Sequence, residues 1–559
     1  MMRKTLPACL LMGAVLLGAA LRLATLGNRP MHADEAVQAV KFGDLLERGH
    51  YTYDPAEYHG PALHYLSLPV VRLAGVRRLA DATEAQLRLL PALLGTALVA
   101  GVWVLRRDLG RGAALWGAVL AATSPMLAFY SRYFIAETLL VAFTFGAFAC
   151  GWRWVRARSP DPAAEPERSG RLRGAGWLVL AGAFIGLMHA AKETCVIAFA
   201  AMLVGAGAAL ALSADARQRA RADLPGLTLG AAVLLGVAAV VSALFFSSFL
   251  AHPRGILDSV AAYAGYAGRA SGRGDASWHL HSWHYYLRLL LWWRGPGGGA
   301  WSEGAIALLA VVGVAAGARR RGASRADPQL VRFLGVYLLL MFAIYSAIPY
   351  KTPWCILGAW HAAALLAGVG AAFLVRVAPR GAARTLVALV LVAGVAHLAW
   401  QAYRASFTAC ADPGNPYAYA QTTDDVPALA RRIEQLAAVR PGERAVEVQV
   451  ICPNNDYWPL PWYLRRLARV GWHDAVPDGT LAPVLIMSAE LEPGFARRLF
   501  VGTPPGRRTL YVDLLQDFPG GTAELRPNSH LRAFAAAPLW EQYAVRRAQD
   551  TGPTKDATP

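Results

Sequence analysis

His32-Ala33-Asp34-Glu35-Ala36 sets two adjacent carboxylates a few residues beyond the first long apolar segment, Leu6–Leu26. Charge held beside a bilayer is costly and is a mark of function. A carboxylate pair in that place suits an enzyme that deprotonates an acceptor, or holds a metal, over a lipid-linked substrate. Downstream, Tyr53-Asp54-Pro55-Ala56-Glu57-Tyr58-His59-Gly60-Pro61 adds acids, aromatics and a histidine that could bind a divalent metal. Isolated polar groups also stand at the ends of later apolar runs: Ser131-Arg132-Tyr133 with Glu137, Lys192-Glu193, and Pro349-Tyr350-Lys351.

Each group has a plainer reading. Asp34 is placed to cap the helix-like stretch Ala36–Leu46. Glu137 is either a membrane-buried partner of Arg132 or a second acid that binds acceptor or metal. The lysines are only Lys4, Lys41, Lys192, Lys351 and Lys555; basic residues elsewhere are arginine. A lysine ammonium is a compact charge suited to a phosphate oxygen, although it can also snorkel to an interface. Lys192 could equally pair with Glu193. His279, His281 and His284, interleaved with Trp278 and Trp283, suit an interfacial aromatic belt better than a zinc site. Asn454-Asn455-Asp456-Tyr457-Trp458 reads as a turn, with a sugar-stacking loop as the alternative.

The elements that must position these groups are membrane helices. Of 559 residues, 55% are hydrophobic and only 16% charged. That balance belongs to an integral membrane protein. The net charge of +18 comes largely from arginines in short loops. That is the positive-inside pattern, and no compact basic fold with interleaved aromatics points to nucleic acid. About eleven spans are expected: Leu6–Leu26, Gln86–Leu105, Ala113–Tyr130, Phe134–Trp154, Gly174–Ala190, Cys195–Leu212, Leu224–Leu250, Trp301–Ala316, Leu330–Ile348, Cys355–Val375 and Thr385–Tyr403.

With an uncleaved N-terminal helix starting in the cytoplasm, parity puts the arginine-rich loops inside. It puts Asp34, Arg132, Glu137, Lys192 and Lys351 together on the outer face. Ala36–Arg48, Ala62–Leu79 and Tyr285–Trp293 read as interfacial helices. Pro160–Gly170 reads as a polar linker. After Tyr403 the apolar runs stop. Asp424–Leu436 and Leu460–Leu467 read as helices, Ala445–Ile451 and Pro483–Ser488 as buried strands. The expected organisation is a transmembrane domain over 1–404, an extracytoplasmic α/β domain over 405–549 and a disordered tail over 550–559. Whether Cys410 and Cys452 pair is left open by the sequence.

The ordered set His32-Ala33-Asp34-Glu35-Ala36, Glu57-Tyr58-His59-Gly60-Pro61, Ser131-Arg132-Tyr133 with Glu137-Thr138, Lys192-Glu193-Thr194 and Tyr350-Lys351-Thr352-Pro353-Trp354 resembles the GT-C glycosyltransferases. Among these it is similar to the protein O-mannosyltransferases and aminoarabinose transferases, and more so to a flippase-activity-associated subgroup. The resemblance covers roughly the first four hundred residues. It implies a hexosyl- or pentosyltransferase in the plasma membrane of a cell envelope. A polyprenyl-phosphate sugar would be the donor, and a hydroxyl of a glycan, lipid or protein the acceptor, with inversion on the outer face. It implies Asp34 as base with Glu35 beside it. Lys351, Lys192, Arg132, Glu137 and Tyr350 would bind donor phosphate or acceptor. His59 and Glu57 are candidate ligands for Mg, Mn or Zn. His59-Gly60-Pro61 departs from the acid, lysine and paired prolines of the aminoarabinose transferases. The subgroup's label also leaves a transport or accessory role in flipping lipid-linked glycans as the alternative.

Overall fold

The computed structural model describes residues 2–56, 59–158, 168–270, 279–295, 299–318, 325–439, 446–501 and 508–551. Among these, eight helices are long and apolar enough to cross a membrane: Leu6–Leu23, Glu84–Leu109, Glu137–Arg158, Gly174–Ala191, Leu224–Phe246, Pro328–Ala347, Pro353–Val377 and Ala382–Thr408. A ninth is formed if Cys195–Ala211 and Ala214–Ala222, bent by 104°, count as one span. The other two expected spans are shorter. Ala113–Tyr130 is broken at Ser124-Pro125 into Arg111–Thr123 and Pro125–Tyr130. Proline has no N–H for the ladder, and the Ser124 hydroxyl caps the second piece at the Leu127 amide. Trp301–Ala316 is the apolar helix Gly304–Gly317. The expected linker at 160–170 falls mostly outside the described residues, and its last part opens the helix Arg168–Ala191.

Helix Leu357–Val377 runs through the middle of the bundle, with nearly every residue from Leu357 to Ala371 buried. Its alanines and glycines let neighbours approach closely: a Cβ at Gly368 would lie 2.4 Å from the Ala113 carbonyl. Three of the loops between these helices meet through ion pairs. Asp108 is ion-paired with Arg153 at 3.6 Å and Arg156 at 3.0 Å, and Arg156 also reaches Asp327 at 3.4 Å.

One end of the bundle carries helices that do not span. We label α1 as Met2–Leu23, α2 as Ala33–Arg48, α3 as Ala62–Leu73 and α4 as Glu84–Gly101. Interfacial helices were expected at α2 and α3, and at Tyr285–Leu291. Gly255–Ala270 is helical too, inside what reads in sequence as loop.

Hairpin strands β1 (Trp293–Arg294) and β2 (Ala300–Trp301) lead into the later helices. The C-terminal region forms one mixed sheet from β3 (Val448–Ile451), β4 (Val470–His473), β5 (Val484–Ser488), β6 (Tyr511–Asp513), β7 (Ala523–Arg526) and β8 (Ser529–Ala536). The order is β4-β3-β5-β8-β6, with β7 also on β8. β3 is parallel to β4 and β5, while β8 is antiparallel to β5, β6 and β7. The expected helix Asp424–Leu436 is Asp425–Ala437, and Leu460–Leu467 shortens to Leu460–Tyr463. Residues 550–551 close a last helix, Ala537–Thr551, and 552–559 lie outside the described residues. Cys410 and Cys452 are unpaired.

This domain sits on the loops around α2. The Tyr463 hydroxyl accepts from the Met31 amide at 2.8 Å, and Trp462 donates to Glu84 at 2.8 Å. Arg465 donates to the carbonyls of Leu79 and Ala82 at 3.1 and 2.7 Å. It therefore covers the end of the bundle that holds Asp34.

Candidate active site

The sequence around Asp34 builds an N-terminal cap. His32 precedes α2 in extended conformation, and its Nδ1 accepts from the Asp34 amide at 3.1 Å. The Glu35 carboxylate reaches back to the His32 amide at 3.1 Å, completing a capping box. Two neighbouring carboxylates thus meet opposite fates.

Glu35 points inward and is fully buried. It accepts from Arg88 at 2.7 Å on each oxygen, from Arg29 at 3.2 Å and from the Phe134 amide at 2.8 Å. Burial alone would raise its pKa; Arg88 and Arg29 outweigh that and hold it down to about 2. Both of its oxygens are hydrogen-bonded inside the protein, and Glu35 does not line the cavity on which Asp34 opens. Asp34 instead faces outward, and its carboxylate has no hydrogen bond or ion pair among the described residues.

Asp34 lines a cavity of about 540 Å³. With it stand His59, Glu137, Lys192, Glu193 and Tyr350. The structure therefore brings together five of the sequence candidates, from distant parts of the chain, and adds Glu193. The apolar wall is made by Val37, Ile135, Val196, Ile197, Ile348 and Trp354.

Two ion pairs organise the polar side. Lys192 donates to Glu137, at the start of Glu137–Arg158, and not to Glu193. Burial alone would lower the Lys192 pKa; the neighbouring carboxylates more than offset it and raise it. The second oxygen of Glu137 is buried without a hydrogen-bond partner. Glu193 accepts from the Tyr53 hydroxyl at 3.1 Å and lies 2.9 Å from His59 Nδ1. Burial would raise its pKa, but His59 dominates and lowers it. Gly60 makes this possible: a Cβ there would stand 2.2 Å from the Ala190 carbonyl, where the helix before Lys192 ends.

Other candidates are occupied elsewhere. Arg132 donates to the carbonyls of Leu21, Arg22, Ala24 and Thr25, closing the end of α1, and does not meet Glu137. Those orphan helix-end carbonyls are a natural cation site. Lys351 donates to the carbonyls of His281 and Ile348. It pins the segment 279–281 against 349–351, where Leu280 and Tyr350 form an antiparallel bridge. His279 and His281 belong to this bridge and to the hydroxyl of Tyr419. Lys351 is thus a structural clamp beside the cavity, while its neighbour Tyr350 lines it.

Among the described residues, no three His, Cys, Asp or Glu side chains are grouped to hold a metal. His59 has its Nδ1 engaged by Glu193, and Glu57 lies outside the described residues. Asp456, in the expected turn 454–458, pairs with Arg526. Tyr457 packs on Trp472 with ring centroids 4.6 Å apart.

The dolichyl-phosphate-mannose-protein mannosyltransferase family matches residues 67–248. No curated protein matches the chain in sequence. Among solved structures, ArnT from Cupriavidus metallidurans in the apo state is similar, with a TM-score of 0.59 at 16% identity over 96% of this chain and 99% of that one. The same protein bound to undecaprenyl phosphate gives 0.58 at 18% identity, over 96% and 99%. The Archaeoglobus fulgidus oligosaccharyltransferase, in complex with zinc and sulfate, gives 0.53 at 16% identity over 86% of this chain and 68% of that one. Together with the eight apolar helices, these likenesses show that the chain carries the GT-C membrane glycosyltransferase fold.

Proposed function

We propose that the chain transfers a hexose or pentose from a polyprenyl-phosphate donor to an acceptor hydroxyl, with inversion, on the extracytoplasmic face. One observation carries the reading. A solvent-facing, unpaired carboxylate (Asp34) shares a cavity with a buried lysine, two further acids and an apolar wall. The likeness to ArnT bound to undecaprenyl phosphate supports the lipid donor.

In this reading Asp34 takes the proton of the acceptor hydroxyl. The acceptor oxygen bonds to the anomeric carbon on the face opposite the lipid phosphate. The bond from that carbon to the phosphate oxygen breaks, and its electron pair leaves with the phosphate. Lys192 stabilises the charge gathering there; its ammonium has three donors, one of them fixed on Glu137. The free Glu137 oxygen, Tyr350 and the His59–Glu193 pair contact sugar or acceptor. Val196, Ile197 and Ile348 pack the prenyl chain. No three-ligand metal site is grouped among the described residues, so no step here runs through a metal.

The arginine-rich end would face the cytoplasm of the plasma membrane, by the positive-inside rule. Residues 1–404 would be the transferase body and 405–549 an outer domain. The test is transfer in proteoliposomes, using undecaprenyl-phosphate-linked radiolabelled sugars with membrane extract as acceptor. Sugar should leave the lipid with the wild-type protein. If none leaves with any extract, the transferase reading falls.

A further inference from the structure

The segment joining the bundle to the C-terminal domain does not loop through solvent. Asn415, Tyr417, Ala418, Gln421 and Thr422 are buried. The Gln421 amide donates to the Pro30 carbonyl at 3.0 Å and its oxygen accepts from Tyr133 at 2.8 Å. Tyr130 donates to the Tyr417 carbonyl at 2.8 Å. The strap is woven into the loops that carry Asp34.

Tyr419 is its junction. Its carbonyl lies 3.0 Å from His32 Nε2, and its hydroxyl lies 2.9 Å from His279 Nδ1 and 3.3 Å from His281 Nε2. The carbonyl can only accept, so His32 donates from Nε2 and keeps Nδ1 as the acceptor that caps Asp34. Serine, threonine, aspartate and asparagine are the usual caps, and none is long enough to hold both partners. On the other side, the His279 ring lies 4.7 Å from Tyr350, and Tyr419 itself packs edge-on against Trp354 at 5.9 Å. Tyr350 and Trp354 both line the cavity. Ala420, the next residue, holds a left-handed φ of +47°. An alanine adopts that conformation only against its preference, so surrounding contacts fix the turn that aims Tyr419.

We propose that Tyr419 is a positioning residue that sets Asp34, through His32, against the Tyr350–Trp354 wall, making the strap of the C-terminal domain a working part of the site. The proposal rests on the reading of Asp34 as the base.

Three variants separate its bonds. Tyr419→Phe deletes only the hydroxyl shared by His279 and His281. His32→Asn keeps an acceptor for the Asp34 amide and loses the reach to the Tyr419 carbonyl. His32→Gln keeps that reach and loses the cap. Two readouts are taken on the full chain in nanodiscs: amide hydrogen exchange over 34–38, and turnover of undecaprenyl-phosphate mannose with membrane extract as acceptor. Tyr419→Phe and His32→Asn should each speed exchange by about tenfold. Each should also lower kcat by about tenfold, with the donor KM within about twofold. Unchanged exchange in Tyr419→Phe overturns the proposal, whatever the turnover. A raised KM at unchanged kcat overturns it too, because that marks a substrate contact. Should a His32 variant fail to fold, Tyr419→Phe alone decides. Full turnover by Asp34→Asn sinks the base reading instead, and leaves the exchange result to judge the coupling.

Discussion

Glu35 and Arg88 stand 53 residues apart in the chain and bond through both carboxylate oxygens, at 2.7 Å each, with neither side chain exposed. Removing one partner of such a pair leaves a buried charge unanswered, which costs about 3–5 kcal/mol. Glu35→Gln should therefore lower the unfolding temperature of the detergent-solubilised protein by several degrees. Activity per folded molecule should survive far better than in Asp34→Asn. A Glu35→Gln protein of normal stability and no activity would return Glu35 to the chemistry.

The same pair sets an acid limit. Glu35 has a folded pKa held down to about 2, below its ordinary 4.5. A depressed carboxylate contributes stability that is present above the unfolded value and is lost as pH falls through the folded one. Stability should thus decline from about pH 4.5 toward pH 2, and Glu35→Gln should flatten that part of the profile. Thermal unfolding measured across this range checks it; an unchanged slope in the variant contradicts it.

The two lysines at the cavity end of the bundle should behave differently. Lys192 faces the cavity, whereas Lys351 spends its ammonium on the His281 and Ile348 carbonyls. A hydrogen bond from a charged group contributes roughly 1.5–3 kcal/mol, so Lys192→Met should weaken undecaprenyl-phosphate binding by about ten- to a hundredfold. Lys351→Met should cost stability and leave the affinity within about twofold. Equal losses of affinity would contradict this division.

Gly60 tests the geometry of the second pair. A Cβ at this position would lie 2.2 Å from the Ala190 carbonyl, a backbone atom that cannot swing aside. Gly60→Ala should destabilise by about 1–3 kcal/mol or more. It should also separate His59 from Glu193. Thermal unfolding, with the His59 ring resonances followed by NMR, reads both effects; a variant as stable as the parent contradicts the close approach.

Much of this was legible in the sequence. The bilayer confines charges to the two ends of the bundle, and the parity of the spans puts Asp34, Glu137 and Lys192 at the same one, so they could be grouped before any geometry. Ser124-Pro125 carries a helix-start signal that the long apolar run Ala113–Tyr130 masks. The partner of Glu35 was hidden because Arg88 sits inside an apolar stretch, where an arginine reads as a lone exception. The contacts of Lys351 could not be read because its partners are backbone carbonyls, which no sequence displays. In the C-terminal domain, buried β3 and β5 showed as apolar runs, while half-buried β4 and β6 lacked any such run.

Asp34→Asn removes one charge from an exposed, unpaired side chain and leaves the cap at its amide intact. Sugar transfer from undecaprenyl phosphate by this variant in proteoliposomes, beside its unfolding temperature, is the most direct measurement. The expected result is a normal unfolding temperature with turnover reduced by about a hundredfold or more. Wild-type turnover by a normally folded Asp34→Asn protein would contradict the account.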